Sequence, residues 1–129
     1  MRGQKGLTLL EVMIAVAIFG IIASGLFMAL NVSSKTTATT NRLTTAESLT
    51  RSELEYVKAL PYDETNNPPQ YIVDPGLTIP TGYSIVVTAE RLDPKGDGTG
   101  NDDGIQKVTV NVYFEGELIV ATVDYKVDR

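Results

Sequence analysis

KGLTLLEVMIAVAIFG, residues 5–20, opens an apolar run that continues to Leu30 and contains a single carboxylate, Glu11. In the 24 residues from Leu7 to Leu30 only Thr8, Glu11 and Ser24 are polar. Wound as a helix, a run of that length covers a hydrocarbon core of about 30 Å. The sequence therefore predicts a segment that spans or enters a membrane. The acid is costly there, at about 2.5–3.5 kcal/mol near the bilayer centre, so it calls for a partner or a function.

Two ordinary accounts of the run leave something unexplained. A secretory signal peptide cut near Ala23-Ser24-Gly25 would have an apolar region of about 7–15 residues, whereas this one passes the cut site. A plain anchor with Arg2 and Lys5 on the cytoplasmic side obeys the positive-inside rule. It gives Glu11 nothing to do.

The chain has no Cys, His or Trp. That removes disulfides, thiol nucleophiles, Ser-His-Asp triads and zinc held by His or Cys. Of its 129 residues, those after the apolar run suffice for one small head domain. The net charge is −5, and without residues 1–6, which hold Arg2 and Lys5, it becomes −7. Direct nucleic-acid binding, which needs clustered Lys and Arg, is not expected.

Beyond Leu30 the sequence turns polar, yet Leu43, Ala46, Leu49 or Thr50, Leu54, Val57 and Leu60 recur every three or four residues, one apolar face of a helix. The Thr- and Ser-rich part from Ser33 to Thr45 has weak helical preference and depends on packing. A flexible linker over residues 31–41 is the competing account. Pro61 stops the helix. If continuous from Leu7 to Leu60, it would reach roughly 80 Å.

TNNPPQYIVDPGLTIPTGY, residues 65–83, reads as a connection with at most short strands near Tyr71-Ile72-Val73. Three alternating runs follow, at residues 83–92, 106–114 and 117–127. In the second, Val108, Val110, Val112 and Phe114 share one face, with Lys107, Thr109, Asn111 and Tyr113 on the other. Glu115-Gly116 makes the turn of a hairpin. The fold expected is α+β, a long N-terminal helix packed against a small C-terminal antiparallel sheet of three to four strands. The segments are 7–30 for the apolar half of the helix, 31–60 for its amphipathic half and 61–129 for the head.

The loop DPKGDGTGNDDG, residues 93–104, offers Asp93, Asp97, Asn101, Asp102 and Asp103 as hard oxygen ligands on a glycine-rich backbone, which suits calcium. The EF-hand template fails in both registers. A solvated hairpin loop is the plainer account and the one favoured.

Lys5-Gly6-Leu7-Thr8-Leu9-Leu10-Glu11-Val12 resembles the processing site of type IV prepilins and of the pseudopilins of type II secretion. The resemblance implies residues 1–6 as a leader and a cut between Gly6 and Leu7 by a prepilin peptidase. It also implies methylation of the new Leu7 amine, although Phe or Met is more usual at that position. Glu11 becomes the fifth residue of the mature chain. Its carboxylate can then pair with the Leu7 amine of a neighbouring subunit in a low-dielectric setting, fixing one axial offset. Family filaments often unwind this helix between a Gly and a Pro. Gly20 would be one boundary, but no Pro lies between Leu7 and Leu60. Leu60-Pro61-Tyr62-Asp63 is similar to the end of the helix in many minor pilins and minor pseudopilins.

The leading expectation is a structural subunit, of the minor pilin kind, of a type IV pilus or related filament. Its partners would be other pilin subunits, the peptidase and an inner-membrane assembly platform. It would cross the inner or cytoplasmic membrane once before assembly and then sit in an extracellular or periplasmic filament. A pseudopilin of a type II secretion system is the alternative, and a membrane-anchored adhesive or sensory module is another. An enzyme using Asp97 with Asp103 is the weakest, having no predictable pocket.

Overall fold

The computed structural model describes residues 8–128. Their elements are α1 (Leu9–Ala59), β1 (Tyr83–Arg91), β2 (Ile105–Phe114) and β3 (Glu117–Val127). The chain divides into two compact units, Met1–Thr39 and Thr40–Arg129.

In the first unit Thr8 caps α1. Its carbonyl accepts the Val12 amide at 3.2 Å and its hydroxyl accepts the Glu11 amide at 3.3 Å. A threonine in this place satisfies donors that the first helical turn leaves over. The helix passes Gly20 and Gly25 without a break, and the Ser24 hydroxyl donates to the Gly20 carbonyl at 2.6 Å. From Leu9 to Val32 every side chain is exposed except half-buried Ala23.

In the second unit α1 turns an amphipathic face to the sheet. Ala46, Leu49, Thr50, Glu53 and Val57 are buried. This corrects the expected stripe in two places: Leu43 stays 42% exposed, and Glu53 sits at 0%. The Thr50 hydroxyl returns to the Ala46 carbonyl at 2.8 Å, so a polar residue is buried there without a lost hydrogen bond. α1 ends at Ala59, ahead of Pro61, with one further helical bond from the Leu60 amide to the Tyr56 carbonyl at 3.1 Å.

The sheet has three antiparallel strands in the order β1-β2-β3. β2 is central, and its Val108, Val110 and Val112 are 0–2% exposed. Burying such a side chain contributes about 1.5–3 kcal/mol. Ala46 and Leu49 of α1 join Ile85, Val110 and Val112 in the core, with Val73 and Leu77 of the connection packed against it. At the β2–β3 turn Glu115 and Gly116 have φ of 51° and 85°. Two successive positive φ values match the twist of a two-residue hairpin. Val112 pairs with Val120 and Tyr113 with Leu118, which leaves Ile119 as the extra residue of a bulge.

Residues 71–73 are not a strand, and none lies between 61 and 82. Amides that a sheet would use go to a side chain instead: Asp63 accepts from the amides of Thr65 (3.1 Å), Asn66 (3.1 Å) and Gln70 (2.8 Å).

Candidate functional site

Gly6 and Leu7, the expected cleavage and methylation positions, lie outside the described residues. Glu11 lies in the first turn of α1, at the third helical position after the Thr8 cap. That is the spacing of a capping box, and a negative charge there is stabilised by the helix dipole. A shallow apolar recess beside Glu11 is lined by Val12, Ala15, Val16 and Phe19. The described residues form four ion pairs, none of them with Glu11. The helix is long and apolar enough to cross a membrane, and none of that stretch is buried within the chain.

A family model described as the prokaryotic N-terminal methylation motif matches residues 1–27. The chain carries the type IV pilin and pseudopilin signature. No curated protein and no solved structure matches the chain. The pilin-type motif implies, in general terms, processing by a prepilin peptidase and association with other pilin subunits. Subunits of this kind are structural, and the apolar helix is compatible with membrane anchoring. An exposed apolar surface like that of Leu9–Val32 suits lipid or the company of like helices, where it meets no water.

In the head, Leu60-Pro61-Tyr62-Asp63 is an anchor. The Tyr62 hydroxyl donates to Asp102 Oδ1 at 2.6 Å, and the Tyr71 hydroxyl donates to Gln106 Oε1 at 2.5 Å. The Gln106 side-chain amide donates to the Asp63 carbonyl at 2.7 Å. Burial and the bond to Asp102 push the Tyr62 pKa up, so its proton stays in place at physiological pH. Burial alone would raise the Asp102 pKa. The Tyr62 hydroxyl, the Gly104 amide and the Arg91 guanidinium bring it below the ordinary value instead. Asp63 is held below the carboxylate range by the Gln70 amide first, then by the Asn66 side chain.

Of the five expected ligands of the acidic loop, three come together and Asp102 is turned elsewhere. Carboxylate oxygens of Asp93, Asp97 and Asp103 lie within 4.8 Å of one another. Asp102 is turned to Tyr62, and the Asn101 amide donates to Asp97 Oδ2 at 3.3 Å. Asp93 accepts from the amides of Gly96 (2.6 Å), Asp97 (3.0 Å) and Gly98 (2.8 Å). The Gly98 amide is the main cause of its lowered pKa. Asp103 accepts the Lys95 ammonium at 2.7 Å, which raises the Lys95 pKa. A cation joining the three carboxylates would compete with the Lys95 ammonium for Asp103.

Two consequential residues escaped sequence reasoning. Lys126 is buried on β3 and donates to carbonyls at the end of α1. Glu53 lies under the connection, where both its oxygens accept the Asp74 amide at 3.2 Å. A signal existed for Lys126: counted from Val112 across the bulge, it falls on the inner face of β3. Glu53 sat in the middle of the apolar stripe, between Leu49 and Val57.

Proposed function

We propose that this chain is a structural subunit, of the minor pilin kind, of a type IV pilus or related filament. It is cut between Gly6 and Leu7 by a prepilin peptidase, methylated on Leu7 and assembled through its N-terminal helix. The observation that carries the reading is the methylation motif over residues 1–27 with Glu11 in the first turn of a helix whose apolar half is uncovered. For an ordinary anchor, capping the first turn would be the acid's whole use, at a cost in the membrane. The Glu11 carboxylate takes the Leu7 amine of the neighbouring subunit and so sets the axial step. The head carries no catalytic role.

The motif is shared by pseudopilins, so a subunit of a type II secretion system is the second reading. Loss of surface filaments on deletion supports the pilus, and loss of protein secretion supports the pseudopilus. Calcium at Asp93, Asp97 and Asp103 is a secondary proposal, supported by the 4.8 Å grouping and opposed by Lys95.

Mass spectrometry of the N-terminal peptide from the native host tests the main reading. A chain beginning at a methylated Leu7 is the expected result. A chain beginning at Met1 or after Gly25 would overturn it.

A further inference from the structure

Residues 72–79 of the connection cross the packed half of α1 at Glu53. Among the described residues, a single donor ties this stretch to the rest of the chain by hydrogen bonding: the Asp74 amide, 3.2 Å from each Glu53 oxygen. We propose that residues 72–79 form a flap latched by Glu53, closed while that carboxyl is neutral and released when it is charged.

The stretch is suited to moving as one piece. Asp74 closes its own turn, with Oδ1 accepting the Gly76 amide at 2.8 Å and the carbonyl accepting the Leu77 amide at 3.2 Å. Both ends are fixed. Before it, the Tyr71 hydroxyl is bound to Gln106, and after it Tyr83 opens β1 opposite Phe114. In between, Ile72, Pro75, Gly76, Thr78 and Ile79 are exposed, and Val73 and Leu77 are the side chains packed on the core. Two apolar contacts and one carboxyl therefore hold the flap down.

The carboxyl is the part of that hold which can be switched. Glu53 is 0% exposed and lies one helical turn from Leu49 and from Val57. Charge buried in such a place needs a cation or several donors, and Glu53 has one amide. The nearby cations are all placed elsewhere. On α1, Glu47, Arg51, Glu55 and Lys58 are exposed. Arg91 of β1 lies against Asp102, Lys107 of β2 pairs with Glu90, and Lys126 of β3 holds the carbonyls of Val57, Lys58 and Leu60. The charged group that does act on Glu53 is Asp74, of the same sign.

Charging Glu53 thus favours any state in which water reaches it, and lifting the flap is the local way to admit water. A neutral carboxyl keeps an oxygen for the Asp74 amide and feels no repulsion from the Asp74 charge. Burial first, and the Asp74 charge after it, raise the Glu53 pKa in the closed state above 4.5. The open state therefore gains on the closed one as pH rises from 4.5 to the raised value, by about tenfold for each unit between them, and stays level above it. None of this depends on which filament the chain serves.

The test is hydrogen–deuterium exchange of the full chain in detergent micelles, resolved to single amides by mass spectrometry and corrected for the intrinsic effect of pH. Between pH 4.5 and pH 8.5 the Asp74 amide is expected to lose protection several-fold, while amides of residues 46–57 and 106–112 keep theirs. Glu53→Gln, which keeps an acceptor and cannot be charged, is expected to abolish the response. Asp74→Asn, which keeps the oxygen that closes the turn and removes the like charge, is expected to shrink it. Protection of the Asp74 amide that does not change with pH would overturn the flap. So would a response left unchanged in both variants, or an equal loss across residues 46–57, which would mean that the whole head opens.

Discussion

The ammonium of Lys126, on the last strand, donates to the main-chain carbonyl of Leu60 at 2.6 Å, across 66 residues of sequence. The same ammonium reaches the carbonyls of Val57 at 2.8 Å and Lys58 at 3.0 Å. These are acceptors that the end of a helix leaves without partners, and a cation there also meets the negative end of the helix dipole. β3 therefore closes α1. A neighbouring ion pair, Lys58 to Asp124 at 2.5 Å, joins the same two elements at the surface, where its contribution is small.

Replacing Lys126 with Met keeps most of the buried stem and removes the donor. The expected loss is about 2 kcal/mol, since hydrogen bonds from a charged donor contribute about 1.5–3 kcal/mol. Thermal unfolding of the chain should then fall by on the order of 10 °C. An unchanged midpoint would mean that water serves those carbonyls as well.

Glu53 gives a pH signature of known sign. Burial, and to a lesser degree the charge of Asp74, raises its pKa, while the Asp74 amide works the other way. The folded chain therefore holds this proton more tightly than the unfolded one. The stability it brings is full below the ordinary glutamate value of 4.5 and is lost as pH rises through the raised one. Glu53→Gln, which keeps an acceptor for the Asp74 amide, should raise the unfolding temperature at pH 8 by on the order of 4 °C. The difference from the parent chain should shrink towards pH 4, which a pair of melting series would show.

Tyr71→Phe removes the donor to Gln106 Oε1 and leaves a buried acceptor unsatisfied. The expected cost is about 1–3 kcal/mol by denaturant titration, with the strands retained by circular dichroism.

Lys95 decides how the acidic loop treats cations. Lys95→Met frees Asp103 and leaves the Asp93, Asp97 and Asp103 carboxylates facing one another without the ammonium. Calcium should then raise the melting temperature of the variant more than that of the parent chain. Equal responses would show that these three carboxylates do not act as a site.

Two substitutions separate the local and the intermolecular uses of Glu11. Glu11→Gln keeps a side chain suited to the third helical position after Thr8 and removes the charge. If the carboxylate pairs with a neighbouring Leu7 amine, both Glu11→Gln and Glu11→Ala lose filaments in electron micrographs. If capping is its whole role, Glu11→Gln assembles normally.

The membrane-directed half of α1, its stop before Pro61, the three strand positions and the hairpin at Glu115-Gly116 were all legible in the sequence. Each depends on local chemistry: runs of apolar residues, periods of 3.6 and 2, and residues with restricted or permissive φ. The methylation motif was legible for the same reason, being a contiguous stretch. What tertiary packing decided is of another kind. Whether Leu43 or Glu53 enters the core depends on where the connection crosses α1, and the amide that Glu53 meets belongs to Asp74, 21 residues away. Tyr71 lies in a stretch that reads as strand, yet its partner is Gln106, 35 residues on. Lys126 looks like an ordinary charged residue of an edge strand until the sheet brings it to the carbonyls of Val57, Lys58 and Leu60. Periodicity gives the face on which a side chain lies; the polar group that it meets there is set by the folding of distant segments onto one another.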